Sequence, residues 1–237
     1  MVLIDYIMMV LSVVLGGGSV LLLALMGSFQ LVHLGFSDTV VLLWDAILSM
    51  VFFLQHSGMV RKAFRARMAV FVPQRYQGAI YSIASGVVLI LVVVLWQRSE
   101  MQLLRLEGLP LWIARGCSLL AVMIFAWSIH ALGSFDLFGL RSIKSHIHGQ
   151  SDKPFAFVIR GPYRWVRHPL YLCVLVLIWA SPELTADRLL FNVLWTAWIV
   201  VGTILEETDL LADFGDAYRA YQRKVPMLIP WRGRMQP

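Results

Sequence analysis

"YIMMVLSVVLGGGSVLLLALM", residues 6–26, is a run of 21 residues without a single charge. A helix rises about 1.5 Å per residue, so this stretch can cross a hydrocarbon core of about 30 Å. Nothing basic precedes it, Asp5 being the only charge upstream, and the run is longer than the apolar core of a secretory leader. It therefore reads as a retained span. Further apolar runs follow at 40–54, 79–96, 116–132, 170–180 and 189–205. Hydrophobic residues make up 59% of the 237-residue chain and charged residues only 14%, with a mean hydropathy of +0.74. That is more apolar surface than a soluble domain of this size uses, which places the chain among integral membrane proteins. The run 170–180 is too short to cross comfortably. With the turn Ser181-Pro182 it predicts one arm of a helical hairpin that dips in and returns. The expected fold is all-α, with four spans, a C-terminal helical hairpin (five to six membrane segments) and a cytoplasmic amphipathic helix. One domain covers 1–237: the spans occupy 1–132, and the connection, hairpin and last helix occupy 133–237.

Charge supplies the orientation. Arg61, Lys62, Arg65, Arg67 and Arg75 lie in one segment that has no acidic residue. Arg141, Lys144, Lys153, Arg160, Arg164 and Arg167 lie in a second, and Arg219, Arg223, Lys224, Arg232 and Arg234 follow Glu206. All three segments fall on one side of the membrane, and the positive-inside rule makes that side the cytoplasmic face of a bacterial-type inner membrane. The isoelectric point near 9.6 then reflects topology and contact with an anionic lipid bilayer. No basic and aromatic platform for nucleic acid is present. Cys117 and Cys173 both sit in apolar runs and lack disulfide or metal-ligand spacing. His146 and His148 read as a solvated loop, and no metal site is expected.

The chemistry concentrates after residue 133. The connection 133–160 is long and has little apolar periodicity, a pattern that marks functional or disordered loops. It leads into "RGPYRWVRHPLYL", residues 160–172, and beyond the hairpin comes "EETDLLADFGDAYRAYQRKVPMLIP", residues 206–230. Leu210, Phe214, Tyr218 and Tyr221 recur at i, i+4, i+8 and i+11, which predicts an amphipathic helix ended by Pro226. The hairpin returns Glu206 and Glu207 to the level of Arg164, Arg167 and His168. Such charges could simply pair and fix the hairpin. Tyr163 and Tyr171 add aromatic faces, Gly161-Pro162 allows close backbone approach, and Pro169 suits the first turn of a helix. Together these residues describe a polar, half-buried cup.

The two motifs, R-H-P-L-Y and the E-E stretch running to V-P, resemble the signature of the isoprenylcysteine carboxyl methyltransferase superfamily. That resemblance implies a pocket for S-adenosyl-L-methionine, open to the cytosol, and assigns cofactor binding to Tyr163, Arg167, His168, Tyr171, Glu206 and Glu207. Arg167 or His168 would hold the methionine carboxylate, and a glutamate the amino group or ribose. "LWDAILSMVFFLQHSGMVRKAFRARM", residues 43–68, and "SFDLFGLR", residues 134–141, are similar to the methanethiol S-methyltransferase branch. They imply a small thiol substrate, methanethiol, converted to dimethyl sulfide. Cys173 stands where many relatives carry glycine. Other acceptors, a prenylcysteine carboxylate, a phospholipid amine or another thiol, remain as alternatives.

Three further residues are catalytic candidates. Asp45 is a carboxylate inside a span, where ionisable groups are costly and so usually functional. His56 follows three turns later, so Asp45, Ser49, Phe52 and His56 share a helix face. His130 lies at the end of the fourth span, six residues before Asp136. Helix packing alone could also use such groups. The glycines at 16–18 read as close helix packing. Competing classes are a haem protein ligated by His56 and His130, a non-catalytic scaffold, and a nicotinamide-dependent reductase.

Overall fold

A computed structural model describes residues 2–26, 30–133, 136–150, 157–233 and 235. Lys153, Arg234, Ser134 and Phe135, used above, lie outside the described residues, as does part of the connection 133–160. The chain is helical, and among the described residues five helices are long and apolar enough to cross a membrane: Val2–Leu25, Asp38–Val60, Gln74–Leu95, Gly108–Leu132 and Ala186–Lys224. It divides into two compact units, one of residues 1–101, 136–154 and 186–191, the other of 102–135, 155–185 and 192–237.

In the first unit, α1 (Val2–Leu11) passes through a wide π turn, Ser12–Gly17, into α2 (Gly18–Leu25). α3 (Asp38–Val60) and α5 (Gln74–Leu95) pack together, with the short α4 (Lys62–Met68) between them in sequence. The π turn lies against α5 because both surfaces are small. A Cβ on Gly86 would meet Leu15 O at 2.5 Å, and one on Gly16 would strike Ser82 Oγ. Apolar solvent supplies no hydrophobic drive between spans, so close backbone approach is what gains dispersion energy there. α7 (Arg141–Ile147) packs on α1 and α5. The turn before it is seated on the same glycines: Phe138 covers Gly16 and Gly17, its carbonyl accepts from Ser12 Oγ at 2.5 Å, and Gly139 presses on Gly78. Of the three glycines expected to serve helix packing, Gly16 does so against Ser82 and joins Gly17 in cradling Phe138, whereas Gly18 has nothing within 4 Å of its Cβ position.

In the second unit, α6 (Gly108–Leu132) packs along α8 (Pro169–Trp179) and a 3-10 turn, Gly161–Arg164. Gly161, at φ +53°, fits against Ala131 and Trp127 near the C-terminal end of α6. β1 (Gln102–Arg105), just before α6, pairs antiparallel with β2 (Glu183–Thr185), just after α8. The short arm therefore runs the whole length of α6. Its eleven helical residues rise only about 16 Å. The extended stretch after Ala180 adds the rest, at about 3.3 Å per residue. No periodicity announced that strand pair, because each strand is four residues or fewer.

α9 (Ala186–Lys224) brings the largest departure. The apolar run 189–205 and the expected amphipathic helix form one element, and that element reverses at Gly215, where φ is +52° and ψ −125°. The backbone leaves helical geometry at a conformation only glycine adopts readily.

Candidate active site

The site is assembled in the second unit from three pieces of chain. Pro169 disfavours helical geometry at the preceding residue, so His168 sits at φ −124°, ψ 65°, outside α8. The extended Arg167-His168 dipeptide is bound to the tail by its backbone: Arg167 N–H donates to Pro226 O at 2.9 Å and His168 N–H to Met227 O at 3.1 Å. Both side chains then face α9.

Arg167 grips Glu207 with two parallel hydrogen bonds, Nε to Oε1 at 2.6 Å and Nη2 to Oε2 at 2.9 Å. Its Nη1 donates to the carbonyls of Gln222 and Val225. His168 Nε2 lies 3.1 Å from Glu207 Oε1, which calls for the proton on that nitrogen. Tyr218 OH donates to Oε1 at 3.3 Å and Gln222 Nε2 to Oε2 at 2.9 Å. A carboxylate offers about four lone-pair sites, so Glu207 has no capacity left. Arg167 has spent nearly all of its donors. The pair is buried, with side chains 10% and 11% exposed, and it ties the motif, α9 and the tail together.

Its neighbour differs. Glu206 is 44% exposed, and Tyr171 OH donates to its Oε2 at 2.8 Å. The rings of His168 and Tyr171 stack, their centroids 5.7 Å apart and their planes 15° apart. Tyr163 lies by Glu206 and Cys173; burial first, and then the Glu206 carboxylate, push its phenol above the ordinary range. Its backbone carbonyl accepts from Tyr221 OH at 2.6 Å. Arg164 Nε is buried with no hydrogen-bond partner among the described residues. Behind this surface Phe157, Phe214, Tyr218 and Tyr221 form an aromatic cluster, with Phe157 centroids 5.3 to 5.7 Å from the other three.

All six expected cofactor residues thus fall in the second unit, and Arg167, His168, Tyr171, Glu206 and Glu207 form one connected network. Tyr218 and Gln222, and the tail carbonyls, were not among them. A straight helix would put Gln222 about 22 Å from Glu207. The signal was the glycine in the F-G pair at 214–215.

Of the other candidates, Asp45 and His56 belong to the first unit and His130 to the second. Asp45, Ser49 and Phe52 do line a buried face of α3, and Phe52 stacks near His56 with centroids 5.1 Å apart. Asp45 Oδ1 accepts from Gln97 N–H at 3.0 Å at the end of α5. Its Oδ2 is buried with no partner among the described residues. Asp187 stands in the same place, accepting from Trp96 Nε1 and Ser99 N–H. This end of the unit is remote from α7, which packs at the other end of α5 beside Gly78. His56 is about 16 Å along α3 from Asp45. It meets Tyr81 OH at 2.7 Å and Ser85 Oγ at 3.2 Å, two partners not anticipated. His130 is exposed in the last turn of α6. Asp136 caps α7, accepting from the N–H groups of Leu140 and Arg141.

The site therefore offers an open carboxylate, stacked aromatic rings and a buried unpaired guanidinium nitrogen, all held by an internally neutral frame. A small cationic ligand that also carries an anionic group suits that donor set. Residues 45–227 match the family described as NnrU protein. The chain is 37% identical over 189 residues to methanethiol S-methyltransferase 2 of Bradyrhizobium diazoefficiens, covering 80% of this chain and 73% of that protein. It is 36% identical over 208 residues to the methanethiol S-methyltransferase of Pseudomonas sp. (strain GM41(2012)), covering 84% and 77%. Rat nurim is 27% identical over 181 residues, covering 71% and 68%. No solved structure matches. With the family match spanning both motifs and most of the spans, the chain belongs to the NnrU family of membrane proteins.

Proposed function

We propose that this protein transfers a methyl group from S-adenosyl-L-methionine to methanethiol, releasing dimethyl sulfide, at a site facing the cytoplasm. Relatives named methanethiol S-methyltransferase are 36% and 37% identical to this chain over 84% and 80% of its length. The observation that carries the reading is the contrast between the two glutamates. Glu207 is saturated by protein donors, whereas Glu206 stands open beside stacked aromatic rings.

The donor set fits the proposed cofactor. When bound, that cofactor supplies a methyl group activated on a sulfonium. Glu206 would take its amino group or ribose hydroxyls. The faces of Tyr171, His168 and Tyr163 would favour its positive sulfur over the neutral sulfur left after transfer. With Arg167 committed to Glu207, the cation proposed for the carboxylate is Arg164, whose Nε has no hydrogen-bond partner among the described residues.

Methyl transfer to a thiol is an in-line displacement. A new carbon–sulfur bond forms to the acceptor, the old one to the sulfonium breaks, and the thiol proton passes to a base. Orientation and exclusion of water can supply most of the acceleration. A free thiol with a pKa of about 8.5 or higher is only a few per cent ionised at neutral pH, so a base helps. We assign that role to His56, with Tyr81 and Ser85 orienting its ring. His130, exposed at the end of α6, is the alternative base.

The test is acceptor competition. Purified protein is given methyl-labelled cofactor with methanethiol and a farnesylcysteine analogue together, and label is counted in the volatile and the base-labile ester fractions. Label in the volatile fraction is expected. Label in the ester alone would overturn the acceptor and leave a methyltransferase of another specificity.

A further inference from the structure

α3 and α5 both qualify as membrane spans, so the segment joining them, residues 61–73, starts and ends at a membrane surface. It holds the short helix α4, none of whose residues is buried. Its last turn carries Arg65 and Arg67, both exposed. A tight turn then follows, in which the N–H groups of Phe71 and Val72 both donate to Met68 O, at 3.0 and 2.8 Å. That turn presents Val70 and Phe71 outward at 76% and 87% exposure, and Phe64 is 38% exposed. Exposed apolar side chains within the spans face lipid and need no further explanation. Val70 and Phe71 lie outside every span and are nonetheless the most exposed of the large hydrophobic side chains among the described residues.

Charge identifies what covers them. No acidic residue occurs between Asp45 and Glu100 in the chain. Two acidic groups described near this end of the unit, Asp5 and Asp136, already have partners. Asp5 is buried and accepts from Tyr76 OH at 2.6 Å with Arg75 at 3.6 Å, and Asp136 caps α7. A segment with exposed arginines, apolar tips and no carboxylate of its own, held within a few residues of two spans, complements an anionic lipid leaflet. Long basic side chains can lay their stems along the acyl boundary and raise their heads to phosphate. Apolar tips beside them sink below the headgroups, as in interfacial helices.

We propose that residues 61–72 form an interfacial anchor in which Val70 and Phe71 insert among the acyl chains while Arg65 and Arg67 bind the phosphodiester groups of anionic phospholipid. The anchor fixes the depth at which α3 leaves the membrane, and with it the level of His56.

The whole chain reconstituted in nanodiscs tests this, with a spin label on Phe71→Cys in a Cys117→Ser background, the buried Cys173 left in place. Collision with oxygen should exceed collision with a water-soluble nickel chelate, the reverse of a label on the exposed His148→Cys. Native mass spectrometry of partly delipidated protein supplies the second arm. Retained phosphatidylglycerol should exceed phosphatidylcholine by about fivefold, and Arg65→Gln/Arg67→Gln should abolish that preference while inorganic phosphate leaves it intact. A label at 71 as wet as that at 148 overturns the insertion, and would turn the face toward a soluble partner. An unchanged lipid preference in the double variant overturns the headgroup site.

Discussion

Glu207 and Gln222 are 15 residues apart in the chain, yet Gln222 Nε2 donates to Glu207 Oε2 at 2.9 Å. The contact exists because α9 reverses at Gly215, whose φ and ψ exclude other residues at low cost. A Cβ there would meet nothing within 4 Å, so the requirement is conformational and not steric. Gly215→Ala should lower stability by about 1–3 kcal/mol and weaken S-adenosylhomocysteine binding, by freeing Tyr218 and Gln222 from Glu207. Gly202→Ala, at a helical position of α9 with equally open surroundings, should be neutral or stabilising by under about 1 kcal/mol. Thermal melts and calorimetric titration of the pair separate backbone strain from a general intolerance of substitution.

The two adjacent glutamates should fail in different ways. Glu206→Ala removes an open carboxylate that accepts from Tyr171 OH and has His168 Nδ1 at 3.9 Å. The protein should melt near the wild-type temperature while S-adenosylhomocysteine affinity falls tenfold or more, as expected for a charge-assisted bond worth about 1.5–3 kcal/mol. Glu207→Ala strands the Arg167 guanidinium in a buried frame and should cost about 3–5 kcal/mol of stability. Equal affinity losses with equal melting temperatures would contradict this division of labour.

His56 and Tyr81 are argued to serve the acceptor and not the cofactor. His56→Ala and Tyr81→Phe should keep S-adenosylhomocysteine affinity within about twofold while turnover falls by about 10²–10⁴ for the histidine, the range of general base catalysis. The tyrosine variant should lose less, since it only orients the ring. Undiminished turnover in His56→Ala would move the role to His130.

Asp45 separates structure from chemistry through one hydrogen bond. Asp45→Ala leaves the buried Gln97 N–H without an acceptor and should destabilise by about 1–3 kcal/mol. Asp45→Asn can keep that bond through its carbonyl. If the carboxylate serves only the fold, Asp45→Asn should melt and turn over like the wild type. Activity lost in a stable Asp45→Asn protein would show that the charge or proton matters.

Much of this architecture was legible in the residues. Uncharged runs long enough to cross announce the spans, because lipid admits no unsatisfied backbone and few charges. The motif residues were also legible as one cluster: a hairpin rooted at Pro169 and returning at Glu206 has to bring Arg167, His168 and Glu207 to one level. Two things were hidden. The pattern Leu210, Phe214, Tyr218, Tyr221 fits a straight helix as well as two segments folded at Gly215, since all four side chains are apolar or aromatic and pack either way. The division between Glu206 and Glu207 follows from partners 11 and 15 residues away, beyond the reach of helical spacing. The β1–β2 pair that completes the short arm was hidden too, because strands of three or four residues have no period to detect.

The most direct measurement is headspace mass spectrometry of detergent-purified protein with methanethiol and S-adenosyl-L-methionine carrying a trideuterated methyl group. Dimethyl sulfide with one trideuterated methyl should accumulate with time and enzyme concentration, vanish in a boiled control, and fall sharply with Glu206→Ala at subsaturating cofactor. Labelled dimethyl sulfide no higher than in the boiled control, from protein that still binds S-adenosylhomocysteine, would contradict the account.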